Sequence, residues 1–166
     1  MKKTDKFLVG IVAGIVVLVV VALLLTLTRP GESYRADDTP EGVVHNYLLA
    51  LQKGDYERAY SYLSPNILAG LPETVEEFTD DIQNAEWEFR FDQDSSLTVQ
   101  STQMLSSTRE NVEVHETNAS MGGLFDSSPY TNSFKMRLIL NDGQWRIYDG
   151  DRYFLWCWRE IRGCQD

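Results

Sequence analysis

The residues best suited to proton chemistry are Glu113 and His115, two apart in the stretch NVEVHET. On a strand they share one face, opposite Val112 and Val114. A neighbouring carboxylate orients and charges an imidazole, so the pair can act as a general base where that face lines a pocket. The same pattern also describes a polar pair on a wet face. The other histidine, His45, falls roughly opposite the stripe of Val44, Leu48 and Leu51 if the segment is helical, which directs it to solvent. No HExxH, GxSxG, P-loop, GxGxxG or CxxC occurs. Two histidines and two thiols without clustered partners predict no metal site, and no cofactor is expected.

Five aromatic side chains, Tyr60, Phe78, Trp87, Phe89 and Trp145, are the candidates for a ligand pocket if the elements carrying them converge. Aromatic core packing explains them equally well. Cys157 and Cys164 are the only cysteines, seven residues apart. In an oxidising compartment they can form a disulfide if the intervening turn brings the sulfurs together. The other reading is a buried Cys157 and a free Cys164. Asn118-Ala119-Ser120 matches a glycosylation sequon and reads as a turn.

The segment that places all of this comes first. Phe7 to Leu27 is an uncharged run of 21 residues. As a helix it is about 32 Å long, against a hydrocarbon core of about 30 Å. Lys2, Lys3 and Lys6 precede it and only Arg29 closely follows, so the positive-inside rule keeps residues 1–6 cytoplasmic and exports the rest. A cleaved signal peptide has a shorter apolar region, commonly about 7–15 residues. Gly10 and Gly14 have the spacing that lets two such helices approach, one route to a homodimer, although glycine is common in membrane helices anyway. From Pro30 onward there are 11 basic residues against 24 acidic ones, a net charge near −13. Such a domain repels phosphate backbones, which argues against nucleic-acid binding.

Residues 28–38 are polar, carry Pro and Gly, and read as a tether. Thr39-Pro40-Glu41 then opens a helix that Gly54 stops. Asp55 caps a second helix ending at Ser64-Pro65. Thr74 and Glu77 form a capping box ahead of Val75, Phe78 and Ile82. The period then shifts to two. Trp87, Phe89 and Phe91 alternate with charged residues and predict a strand. Leu97–Leu105, Asn111–Thr117, Phe134–Leu140 and Gln144–Tyr148 predict four more. Met121–Asn132 reads as a loop, and Asn141-Asp142-Gly143 as a hairpin turn. Helices followed by strands give an α+β domain over 39–166, with about three helices packed on an antiparallel sheet.

Two stretches carry a family resemblance. TPEGVVHNYLLALQKGDYERAYSYLSP (residues 39–65) is a capped helix, a Gly-Asp corner and an Ala-and-Tyr helix ending in Ser-Pro. RLILNDGQWRIY (residues 137–148) is the closing hairpin. Together they resemble the nuclear-transport-factor-2-like superfamily, in particular its small bacterial membrane-anchored extracytoplasmic members of unknown function. The resemblance implies a cone, with helices set into a strongly curved antiparallel sheet. It implies no particular activity, since that superfamily contains isomerases, dehydratases, cyclases, carriers and scaffold subunits. None of its catalytic positions can be matched to a residue here. The expectation is therefore a single-pass membrane protein with its domain outside, acting as a binding or scaffold module. Its partners would be the bilayer through residues 7–27 and an envelope protein or a small apolar ligand. The competing expectation is an isomerase or cyclase using a carboxylate or His115 inside the cone.

Overall fold

Capping residues set the helical half of the domain. In this computed structural model, residues 3–27, 32–91, 95–118 and 130–164 are described, with side chains on the first helix described over 8–24. The chain divides into two units, Met1–Ser33 and Tyr34–Asp166.

The first unit contains α1 (Lys3–Leu27). Among the described residues no helix is long and apolar enough to cross a membrane.

In the second unit, Thr39 Oγ1 accepts the Gly42 N–H at 3.1 Å to start α2 (Pro40–Lys53), and Gly54 ends it in the left-handed conformation at φ 68°. Asp55 caps α3 (Tyr56–Ser61). Thr74 caps α4 (Val75–Asn84), accepting the Glu77 N–H, while the Glu77 carboxylate accepts the N–H of Glu73. A short 3₁₀ helix, Trp156–Arg159, lies near the C-terminus.

Four strands follow α4: β1 (Ser95–Ser106), β2 (Arg109–Asn118), β3 (Tyr130–Asn141) and β4 (Gln144–Gly150), antiparallel in the order β1-β2-β3-β4. Asp142 (φ 50°) and Gly143 (φ 78°) form the two-residue turn between β3 and β4, the positive-φ geometry that an Asp-Gly pair favours. Beyond β4 the chain that follows α3 joins the sheet edge. Ser64 N–H donates to Ile147 O, and Ile147 N–H donates to Tyr62 O, each at 2.9 Å. Val112, Val114, Phe134, Met136, Leu138 and Ile147 face the helices and form one core with α2.

Four expectations need correction. Trp87, Phe89 and Phe91 are not a strand. The chain turns after α4, with Glu88 N–H on Ala85 O and Phe89 N–H on Glu86 O, so local bonds replace a ladder. The alternation is met by one turn, which buries Phe89 and leaves Trp87 76 % exposed. His45 is buried, not solvent-facing, because α2 is enclosed on nearly all sides. The preceding chain covers its outer face: Ala36 O would lie 1.9 Å from a Cβ at position 42, which requires glycine there. For the same reason the tether does not reach Asp38. Arg35 N–H donates to Asn46 Oδ1 at 2.7 Å and Arg35 O accepts from Asn46 Nδ2 at 2.9 Å. Tyr34 donates to Asp55 and stacks under the Arg58 guanidinium at 3.8 Å. Lastly, Tyr130–Asn132 belong to β3 and not to a loop. Residues 28–31 and 119–129, including the start of the expected tether, most of the expected loop and the rest of the sequon, lie outside the described residues.

Candidate functional site

β2 carries two possible sites, one on each face. Its residues alternate, with Val112, Val114, Glu116 and Asn118 buried and Glu113, His115 and Thr117 half-exposed. The pair chosen from the sequence therefore sits on the outer face. His115 Nε2 lies 3.6 Å from Glu113 Oε1, with both side chains 36 % exposed. Their cross-strand neighbours include Thr98, Ser133 and Lys135. With both side chains 36 % exposed and polar neighbours across the strands, the pair is not an enclosed base among the described residues.

The inner face carries a carboxylate that sequence reasoning passed over. Glu116 is only 2 % exposed. Its Oε1 accepts the Tyr153 hydroxyl at 2.9 Å, and its Oε2 is paired with the Arg152 guanidinium. The signal was available in the sequence, since Glu116 continues the alternation of Val112 and Val114. A buried carboxylate is tolerated only when paired and hydrogen-bonded, and here both oxygens are.

Tyr153 is the keystone of this cluster. It is fully buried with φ 54°, a conformation uncommon for a bulky residue and maintained only where its surroundings fix it. Those surroundings are specific. Phe91 stacks on its ring at 4.4 Å, Phe134 tilts against it at 5.6 Å, and the buried Tyr47 hydroxyl donates to its carbonyl at 2.7 Å. Burial pushes the Tyr47 hydroxyl pKa far above its ordinary range, so it acts only as a neutral donor. Asn118, next along the same face, keeps its Oδ1 buried without a hydrogen-bond partner. Its burial also leaves the sequon asparagine poorly accessible in the folded domain.

The five pocket candidates do not enclose one cavity. Phe78 and Phe89 pack on Trp158 at 5.1 and 5.9 Å, and Tyr60 packs on Phe78 at 5.3 Å. Trp158 fills the middle, fully buried, donating Nε1–H to Asp81 at 2.8 Å. Tyr60 instead borders an open groove of about 250 Å³ with Leu71, Gln144 and Arg146. Trp145 borders another of about 350 Å³. Phe89 joins Tyr56, Ile82 and Phe91 along a third of about 500 Å³. Trp87 lies outside them, on the surface.

Cys157 and Cys164 are joined in a disulfide, with Cα atoms 5.1 Å apart. It closes the loop that carries Trp158 into the core. Gly70 receives this loop: a Cβ there would lie 2.1 Å from Glu160 O and 2.5 Å from Cys157 O, so only glycine fits. Among the described residues no group of three or more His, Cys, Asp or Glu could hold a metal ion.

No protein-family model matches the chain, and no curated protein matches it. Solved structures similar to it include a SEC-C motif containing protein from Rhodopseudomonas palustris, at 18 % identity over 70 % of this chain and 80 % of that one, TM-score 0.45. A NTF-2 like protein of unknown function from Shewanella oneidensis is 15 % identical over 65 % of this chain and 90 % of its own, TM-score 0.42. A designed NTF2 protein is 15 % identical over 69 % and 96 %, TM-score 0.46. These likenesses carry nothing about activity. The three helices set against one face of the antiparallel sheet give the described domain an α+β fold.

Proposed function

We propose that this chain is a membrane-anchored interaction module, with its cone-like domain outside the cytoplasm and no reaction of its own. One observation carries the choice of binding over catalysis. Tyr47, Phe78, Tyr153 and Trp158 fill the space between helices and sheet, each without exposed surface. Among the described residues the one charged side chain buried there, Glu116, has both oxygens engaged. A substrate would have to displace core side chains, at the cost of several kcal/mol for each large aromatic.

The anchor rests on the uncharged run 7–27, on the lysines before it, and on α1, whose described side chains are all exposed apolar or small residues. A helix apolar all round needs protein or lipid around it. Two experiments test the proposal. Protease added to intact cells is expected to digest the region after residue 33; complete protection, or release of that region into the medium, would overturn the placement. Crosslinking in membranes followed by affinity purification of the full chain is expected to recover a protein partner, another copy included. Repeated recovery of the uncrosslinked chain alone would overturn the interaction role.

An isomerase or cyclase retains one supporting observation, a carboxylate buried on the inner face beside the orphaned Asn118 oxygen. It requires Glu116 to leave Arg152. A small apolar ligand that protects the Glu116 region from hydrogen exchange would favour it.

A further inference from the structure

The two edges of the sheet differ. On the β4 side, Tyr62 and Ser64 bond to Ile147 and cover the edge. On the β1 side, among the described residues, no strand pairs with the outer edge. From Ser101 to Ser106 every side chain of β1 is exposed, with Met104 and Leu105 among the most exposed large apolar residues of the domain. Side chains on both faces of this part of the strand are therefore exposed.

A row of unpaired N–H and C=O groups is complementary to one thing, another extended strand. Proteins blunt such edges with lysine, proline, inward charges or covering elements. Among the described residues, β1 from Ser96 to Ser106 (SLTVQSTQMLS) has none of these, only bulges between Val99 and Ser101 and between Met104 and Ser106. The twelve residues of β1 contain no charge in a chain that is 24 % charged. That contrast points to the occupant. Two copies of a domain with net charge near −13 repel each other over most of their surface, and the β1 edge is where they meet neutral on neutral. Antiparallel pairing about a two-fold axis sets this strand against itself, with Ser, Thr and Gln opposite one another. The Gly10–Gly14 spacing on α1 is a second, separate feature suited to a like copy.

Building on the interaction role proposed above, we infer that its partner is a second copy of this chain, joined through β1 to β1 into one continuous eight-stranded antiparallel sheet. The test uses the full chain in a non-ionic detergent, by sedimentation velocity over a hundredfold range of concentration and by hydrogen exchange. The expected result is a concentration-dependent dimer in which the outward-facing amides of β1 gain protection. Gln100→Glu with Gln103→Glu keeps the shape of two exposed side chains and places four like charges across the junction. Dimerisation should weaken at least tenfold and the added protection should vanish. Gly10→Leu with Gly14→Leu should leave the β1 protection in place. A monomer throughout, or a dimer insensitive to the glutamates and lost with the leucines, overturns the strand pairing. A wild-type monomer that still captures a different protein in the crosslinking experiment overturns this inference and leaves the interaction role standing.

Discussion

Replacing Arg152 with methionine isolates the one charged group in the core among the described residues. Glu116 is 2 % exposed, and its Oε2 loses its only described partner when the guanidinium goes, leaving the Tyr153 hydroxyl on Oε1. Removing one member of a buried ion pair costs roughly 3–5 kcal/mol, because the other charge stays desolvated. Here the Arg152 side chain is 41 % exposed, so water already screens part of the pair, and the lower end of that range, about 3 kcal/mol, applies. For a unit of this size about 3 kcal/mol corresponds to a fall in Tm of about 10 °C. Adding Glu116→Gln removes the stranded charge while keeping an acceptor for Tyr153, and should restore roughly 2 kcal/mol. Urea unfolding of the full chain in detergent, followed by tryptophan fluorescence, reads both effects, since Trp158 is fully buried. A single variant within about 0.5 kcal/mol of wild type, or a double variant no more stable than the single, would refute the reasoning. In either case Glu116 would be hydrated or only loosely paired.

The disulfide should matter in proportion to its short loop: converting both Cys157 and Cys164 to serine should cost about 2–3 kcal/mol by loop-closure entropy, measured as the shift in the urea midpoint. Gly70→Ala should destabilise by about 3 kcal/mol, since its Cβ meets backbone that cannot move aside, and thermal unfolding checks it. Burial raises the Asp81 carboxyl above its ordinary range, opposed by the hydrogen bond from Trp158 and reinforced by Glu77 and Asp80. The folded protein therefore holds this proton more readily than the unfolded chain does. Its contribution to stability rises as pH falls through the folded-state value and levels off below the ordinary carboxylate range. Asp81→Asn should flatten that part of the stability–pH curve, and an unchanged slope would refute the assignment.

Much of the helical half was legible in the sequence because its signals are local. Thr39, Asp55 and Thr74 bond to backbone within three residues, and Gly54 and Asp142-Gly143 answer conformational demands of their own positions. The strands from Leu97 onward followed from alternation for the same reason. The stretch around Trp87 misled because a period of two over six residues is also satisfied by a single turn beside a core, and only Trp158 waiting to receive Phe89 decides between them. His45 misled because one helix cannot reveal that the chain preceding it will fold back over its far side.

The candidate chemistry divides along the same line. Composition and spacing by themselves determined that Glu113 and His115 share a face, that an uncharged run of membrane-spanning length opens the chain, and that a strongly acidic α+β domain follows. Which face of β2 turns inward was decided by packing between elements far apart in the chain, as where Tyr47 meets Tyr153 across 106 residues. That packing put Glu113 and His115 outside and Glu116 inside, filled the space between helices and sheet with Trp158, and left the outer edge of β1 without a strand partner among the described residues. Burial and strand pairing belong to contacts between residues distant in sequence, so no local pattern can assign them.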